Sequence, residues 1–580
     1  MAVLLSAQVP QVLLAQNPPT RDSVATPPPD QELRTRVVCA GQAISNIVVV
    51  TQPPYTERLP EQLDFLRWGV RTLHANTRDN VVRRYLLFEV GDACTEQLRA
   101  ESERILRAQP FLVDARISTF DDTQGGVNIE VETRDEFSLI VAPNVTLKSP
   151  MLRGMRIGES NLAGAAIAAS ALWRSGGAFD DVIGLRVTDY QFAGRRNILR
   201  LEGVRRQHGN NYLAEVLRPY YTDLQRLAWR VSLGGTTEHF EFIRPGEMRN
   251  ALVSDRRFVS MGAIARVGPI RRLRLVGLSF SREHQRTADQ PVMLTTEAIL
   301  PDTLGPVPGD FRRQDVSRLN LLLGIRRLRF ERVLGFDALA GAQDVRIGAQ
   351  VGMLAGRSLP IFGGQDADRF LATDIYWGFG GQRSFVASQM IAEGRLEIGK
   401  SVWENVLTGG RLAWYLRPAV HQLTLAQLEW STGNQVRVPF QLGFNDFNGG
   451  MIGYRNSRIP GGQRLVLRAE QRMVLPNIRN VADGGFALFA DVGRLWRGNA
   501  PYGVTTPWRS SVGVSIQAAV PPRSRRLYRV DFGFPIGGDP DAKFEIRFSS
   551  ADRSRTFWTQ PMDMTRARER TVPTSIFGWP

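Results

Sequence analysis

The chain has 580 residues and carries 73 Lys and Arg against 57 Asp and Glu, a net charge of +16. All but three of the basic residues are arginine (the lysines are Lys148, Lys400 and Lys543), and no zinc-finger spacing, aromatic RNA-binding signature or basic helix accompanies them, so nucleic acid is not an expected partner. Two cysteines exclude a Cys₄ zinc or iron–sulfur site, and the absence of any run of eighteen apolar residues excludes crossing a bilayer as a helix.

Residues 1–16 contain an apolar run, Ala2–Ala15, interrupted by Pro10; it reads as a secretory signal whose start lies upstream, or as a tail. The Pro- and Thr-rich segment 17–36 reads as an extended linker. From there to residue 136 the pattern predicts a small β-α-α-β-β domain. Gln42–Thr51 alternates and is β-branched, as a strand does. Glu61–Leu73 spaces Leu63, Leu66, Val70 and Leu73 at helical intervals, and Asn80–Phe88 reads as a second short helix. Thr95 is placed to cap a helix over Glu96–Ala108, which Pro110 ends. Val113–Thr119 and Val127–Thr133 are strands joined by the turn Asp121–Gly126. Cys39 and Cys94 both fall in this domain, either as a disulfide or as two buried thiols.

Beyond Asp135 the period stays near two for roughly four hundred residues. In Arg529–Phe534, Val530, Phe532 and Phe534 oppose Arg529 and Asp531; in Lys543–Phe548, Phe544, Ile546 and Phe548 oppose Glu545 and Arg547. Apolar residues on one face and charges on the other suit a barrel with lipid outside and a wet lumen. The 43% hydrophobic content is no objection, because only every second residue of such a barrel faces lipid. Sixteen strands over 137–550 would leave about 26 residues per strand and loop, a sensible figure for such barrels. Asp302–Gln314 reads as a long loop and 551–580 as a tail that packs at the rim, unless Phe557-Trp558 ends the barrel.

Four short elements, in order, carry a family resemblance: Leu86–Val113, with its "F-x-x-G-D" and "E-S-E-R-x-L-R" pieces; Gly158–Gly164 (GESNLAG); Phe489–Trp496 (FADVGRLW); and Leu527–Pro535 (LYRVDFGFP). Together they resemble the outer-membrane protein assembly and translocation barrels of the BamA and TamA type (the bacterial surface antigen family). The resemblance implies a single POTRA domain in the periplasm over 37–136 and a 16-stranded antiparallel transmembrane barrel. It implies a loop that folds back into the lumen, its tip here at Gly453, Tyr454 and Arg455, with Asp491 as the acidic partner. Ile452 stands where the family has arginine, so Arg455 is the substitute or an ordinary loop residue. The resemblance also implies a lateral seam between a first strand just after Phe137 and a last strand carrying Phe544, Ile546 and Phe548.

Signs of enzymatic chemistry are weak. The five histidines have no ligand spacing, and no G-x-S-x-G or H-E-x-x-H occurs. Gly394–Ser401 (GRLEIGKS) fits a P-loop, but Arg395–Ile398 alternates like a strand and no helix follows to receive a phosphate. The expectation is therefore a non-enzymatic insertase or translocase without cofactor or metal. Its implied partners are outer-membrane lipid, unfolded outer-membrane or secreted client proteins, and periplasmic accessory proteins. Two-partner-type secretion through the lumen, or a passive, structural or lipid-handling barrel, are the alternatives.

Overall fold

The structure is a computed structural model; it describes residues 35–54 and 74–575, apart from 123, 146–151, 176–180, 245–249, 270–271, 296–297, 303–304, 476, 479, 538, 540, 553–555 and 574. The predicted helix over Glu61–Leu73, the signal and most of the linker lie outside these residues.

The amino-terminal domain is a four-stranded sheet in the order β2-β1-β4-β3, with β1 (Ala40–Gln52), β2 (Ala93–Thr95), β3 (Leu112–Asp121) and β4 (Val127–Asp135). β1 runs parallel to β4, and β3 antiparallel to it. Helix α1 covers only Asp79–Arg83, shorter than the pattern predicts, because Leu86 and Phe88 turn into the core on irregular backbone whose Leu87 N–H is taken by Ser102 Oγ at 2.9 Å. Helix α2 (Glu96–Arg107) starts as its sequence demands: Thr95 Oγ1 accepts from Leu98 N at 3.3 Å. Ile44, Val81, Ile105, Leu106 and Ile129 form the core between helices and sheet. A disulfide joins Cys39 to Cys94, Cα to Cα 4.9 Å, tying β2 to the start of β1.

The rest of the chain is a closed antiparallel barrel. Its first strands are β5 (Leu139–Val145), β6 (Leu152–Glu159), β7 (Ile167–Arg174), β8 (Val182–Phe192), β9 (Asn197–Arg206) and β10 (Gly209–Arg218). Next come β11 (Leu227–Phe242), β12 (Asn250–Val267), β13 (Leu273–Thr287) and the short hairpin β14 (Val292–Leu294) with β15 (Ile299–Pro301). The longest strand, β16 (Gln314–Leu334), leads to β17 (Ala342–Ser358), β18 (Asp368–Gly380), β19 (Ser384–Glu397), β20 (Trp403–Ala419) and β21 (Gln422–Asn434). The ring ends with β22 (Gln463–Val474), β23 (Asp483–Trp496), β24 (Arg509–Ala519), β25 (Arg526–Ile536) and β26 (Glu545–Asp552), followed by the short helix α3 (Met562–Ala567).

Setting the β14–β15 hairpin aside, the described residues make about twenty wall strands, not sixteen. The expectation of sixteen assumed long loops. Many connections here are tight turns: Arg206 pairs with Gly209 across Gln207-His208, and Ala419 with Gln422 across Val420-His421. Less chain spent on turns leaves more strands.

The two faces are sorted as the alternation predicts. Leu319, Leu321 and Ile325 of β16 are exposed on the outer surface, Ile325 at 65%, whereas Arg318, Asn320 and Arg326 on the alternate positions are buried inside. On the neighbouring β13 the outward positions are Val276, Leu278 and Phe280. The barrel is thus apolar outside and charged within, the inverse of a water-soluble domain.

Candidate functional site

Three features converge on the barrel: the seam where it closes, a loop inside it, and the tail. The end that faces the amino-terminal domain is called the near end.

The seam lies between β26 and β5. β5 has seven residues and β6, β7 and β26 eight each, whereas β16 on the distant wall has 21. Fewer residues mean fewer ladder hydrogen bonds, so the wall is thinnest here. Phe137 sits just before β5 at the near end. Phe544 flanks the other end of β26, exposed and 4.9 Å from the Phe534 ring, and Ile546 and Phe548 follow on the same outward face. The near end of the seam is latched by the segment that links the two domains. Ser524 Oγ donates to Glu136 at 2.7 Å, Arg526 Nη1 to Phe137 O at 3.3 Å, and Arg134 to Pro522 O. Arg525 adds bonds to Gln109 O and Leu112 O at 3.1 and 2.8 Å.

The same domain grips the near end farther round. Gln191 Nε2 donates to Val81 O at 2.8 Å, Thr222 Oγ1 to Glu101 Oε2 at 2.7 Å, and Arg332 pairs with Asp114 at 2.8 Å. The GESNLAG element belongs to this joint. Asn161 Nδ2 donates to Thr77 Oγ1 at 2.8 Å while its Oδ1 accepts from Ala166 N, and Thr77 in turn donates to Asp135 at 2.7 Å.

The long connection between β21 and β22 folds into the lumen. Met451, Ile452 and Tyr454 are buried there, and Arg455 is exposed. Gly453 has a φ of +94°, a left-handed backbone that brings it against Pro535, and its N–H reaches Glu545 Oε2 at 2.7 Å. Asp491 is fully buried, and its carboxylate is taken by Arg468 of β22 through two bonds of 2.6 Å. The loop reaches Asp491 through the Ile452 N–H at 3.4 Å. The carboxylate's arginine therefore comes from the wall, not from position 455. Beside it, Glu470 binds Arg472 and Arg529 at 2.9 Å each, and Arg529 also binds Asp531. Asp491 of the FADVGRLW strand and Arg529 and Asp531 of the LYRVDFGFP strand belong to this inner network.

The tail does not end at the rim. Its residues 557–572 run through the lumen. Arg411 donates to Phe557 O; Arg464 pairs with Asp563 at 2.6 Å; Arg568 Nε pairs with Glu393 at 2.7 Å. Glu569 meets Arg318, which also holds Asp368 with Nε–Oδ1 at 2.8 Å, and Arg395 shares that Asp368 at 2.7 Å. Met564 and Ala567 of α3 pack on Leu407, Val438, Phe440 and Leu442, so tail and inward loop meet. Val572 returns to a cluster with Tyr220 and Ala228 at the near end. Sequence reading missed this plug. Its trace is only compositional: Asp563, Arg566, Arg568, Glu569 and Arg570 stand close together after the last strand, and the ion-pair partners of Asp563, Arg568 and Glu569 lie 99, 175 and 251 residues away.

The P-loop-like GRLEIGKS begins inside β19, and β20 follows within a few residues, so no helix N-terminus is there to bind phosphate.

No protein-family model matches the chain, and no curated protein matches it. Among solved structures, BamA from Haemophilus ducreyi lacking POTRA domains 1–3 aligns over 88% of this chain and 85% of its own, at 13% identity and TM-score 0.36. CdiB from Acinetobacter baumannii covers 82% of this chain and 74% of its own at 10% identity and TM-score 0.38, and CdiB from Escherichia coli 91% and 92% at 12% and 0.34. Likeness at this level is too distant to assign a family.

Proposed function

We propose that this chain is an outer-membrane barrel that handles client polypeptides, opening laterally at the β26–β5 seam. The observation that carries this reading is the seam itself: with the β14–β15 hairpin set aside, the shortest strands of the ring meet there, and its near end is held by the linker of the soluble domain. A bilayer explains the apolar outer surface, because leaving that area in water costs about 25 cal/mol per Å². Strands inside a bilayer must have every backbone group paired, so a client strand needs an edge to join before it leaves the barrel. A parted seam supplies two. The soluble domain, POTRA-like in this reading and periplasmic, offers another: β2 pairs with β1 only at its start, so from Asn46 to Gln52 one edge of β1 has no strand partner among the described residues. No step needs a nucleotide or a catalytic side chain.

The test is a pair of cysteines, one in Leu139–Val145 and one in Glu545–Asp552, joined by oxidation in membranes. Locking is expected to stop the assembly of client barrels, and reduction to restore it. Normal client assembly with the seam fully crosslinked would rule the lateral route out.

One observation favours a second reading. The occupied lumen, lined by paired charges, is a path that displacing the tail would open, as a secretion pore requires.

A further inference from the structure

We propose that Arg282, Arg357 and Arg369 form an external site for a membrane lipid whose headgroup carries two phosphates. The proposal rests on the membrane reading above but not on what the barrel transports.

The three arginines share the outer face, at the end of the barrel away from the soluble domain. Arg357 of β17 lies directly opposite Arg369 of β18 and also opposite Leu319 of β16. Leu319 pairs on its other side with Phe280, two residues before Arg282 on β13. All three arginines are exposed, and none has an ion-pair partner among the described residues. Like charges directly across a ladder repel. Inside the barrel the protein answers arginines with carboxylates, as at Arg318 and Arg468. Here it places cation beside cation and supplies no counter-charge, which suits an anion from outside.

Position identifies that anion. Toward the near end, the outward residues next to the three arginines are apolar: Leu278 and Phe280, Leu319 and Leu321, and Leu371. The charges thus stand at the border of the apolar band, where acyl chains below and headgroups above would meet. The turn after β17 forms a side wall. Phe362 packs edge-on to Phe280 at 5.3 Å, and at Gly363 a Cβ would lie 3.6 Å from the Arg282 guanidinium, so the turn approaches the arginine closely. Guanidinium forks match phosphate oxygens bidentately. From β13 to β18 the site crosses three strand intervals, about 14 Å. A single phosphate cannot bridge that span, whereas a saccharide-sized headgroup with a phosphate at each end can.

The experiment uses the full chain in phosphatidylcholine vesicles doped with diphosphoryl lipid A, with monophosphoryl lipid A and inorganic phosphate as comparison probes. The lipid retained per folded protein is measured by mass spectrometry after washing. The R282Q/R357Q/R369Q variant is expected to lose affinity for the diphosphoryl lipid by about tenfold or more. The corresponding triple lysine variant should keep most of it. R274Q/R327Q, which alters outward arginines at the near end, should leave it unchanged. Equal binding by the triple glutamine variant, equal retention of the monophosphoryl lipid, or displacement by inorganic phosphate at matching concentration would each overturn the site. Heat-modifiable gel migration of the same samples scores the membrane reading separately. A folded, inserted variant that binds like the wild type sinks the lipid site alone, whereas a wild-type chain that never inserts sinks both.

Discussion

Asp491 shows what one buried carboxylate does in this lumen. It is fully enclosed, takes two bonds from Arg468 and receives the Ile452 N–H, so it ties the wall to the inward loop. Removing one member of such a pair leaves the other buried and uncompensated, at a cost of about 3–5 kcal/mol. Asp491→Asn should therefore lower the temperature at which the folded band disappears on heat-modifiable gels, and expose residues 449–456 to protease before the barrel unfolds. A variant as resistant as the parent would show that the loop is held elsewhere. Its place beside the inward loop was expected from its strand motif, but its arginine was not. Arg455 and Arg468 are both near in sequence, and only the register of β22 against β23, which sets Arg468 directly opposite Asp491, decides between them.

At the scale of elements, the plug is the unexpected part. The alternation of β25 and β26 could be read in advance, because the two faces of a strand differ in every pair of residues. The tail has no such period. Its order comes from partners on β13, β16, β19 and β22, and from α3 lying on the inward loop. Strand number was illegible for a related reason: sixteen strands at about 26 residues each fill the same length of chain as about twenty joined by tight turns such as Gln207-His208. Truncation after Asp552 tests the plug. The shortened chain should still fold, since no wall strand is lost, and should give large steady conductance in planar bilayers where the full chain gives little. Equal conductance from both would mean that the tail does not close the lumen.

At the scale of the whole molecule, the amino-terminal domain is bound to the barrel by Tyr190 and Tyr221 packed on its core and by polar contacts, one of which titrates. Burial pushes the Glu101 carboxyl up, but Arg104, with the Thr222 hydroxyl, more than offsets this and holds it below the ordinary carboxylate value. A carboxylate whose folded-state value is lowered contributes stability above its unfolded value and loses it as pH falls through the lowered one. Docking at the 219–226 turn should therefore weaken as pH falls through and below the ordinary glutamate range, seen as faster hydrogen exchange there. Glu101→Gln should flatten that dependence. Glu136 behaves oppositely, since burial raises it against Arg526 and Ser524, but it acts at the 520–525 turn, so the two regions are read apart. The two-domain plan was legible because hydrophobic period changes from mixed to two near Asp135. Their docking was not, because it is written in single residues scattered over several turns.

The linker bonds that hold Ser524 and Arg526 bear on how such a cylinder is made. Residues 134–137 lead straight into β5, and they grip the turn from which β25 and then β26 rise, almost four hundred positions later in the chain. Bringing the first and last staves together is the most remote loop closure the molecule has to complete, and remote closures are slow. A folded domain that already holds the start of β5 and then captures residues 520–525 would shorten that search. On this view the domain is also a jig for its own barrel, and the plug, coming directly after β26, must be tucked in around the time the last stave is set.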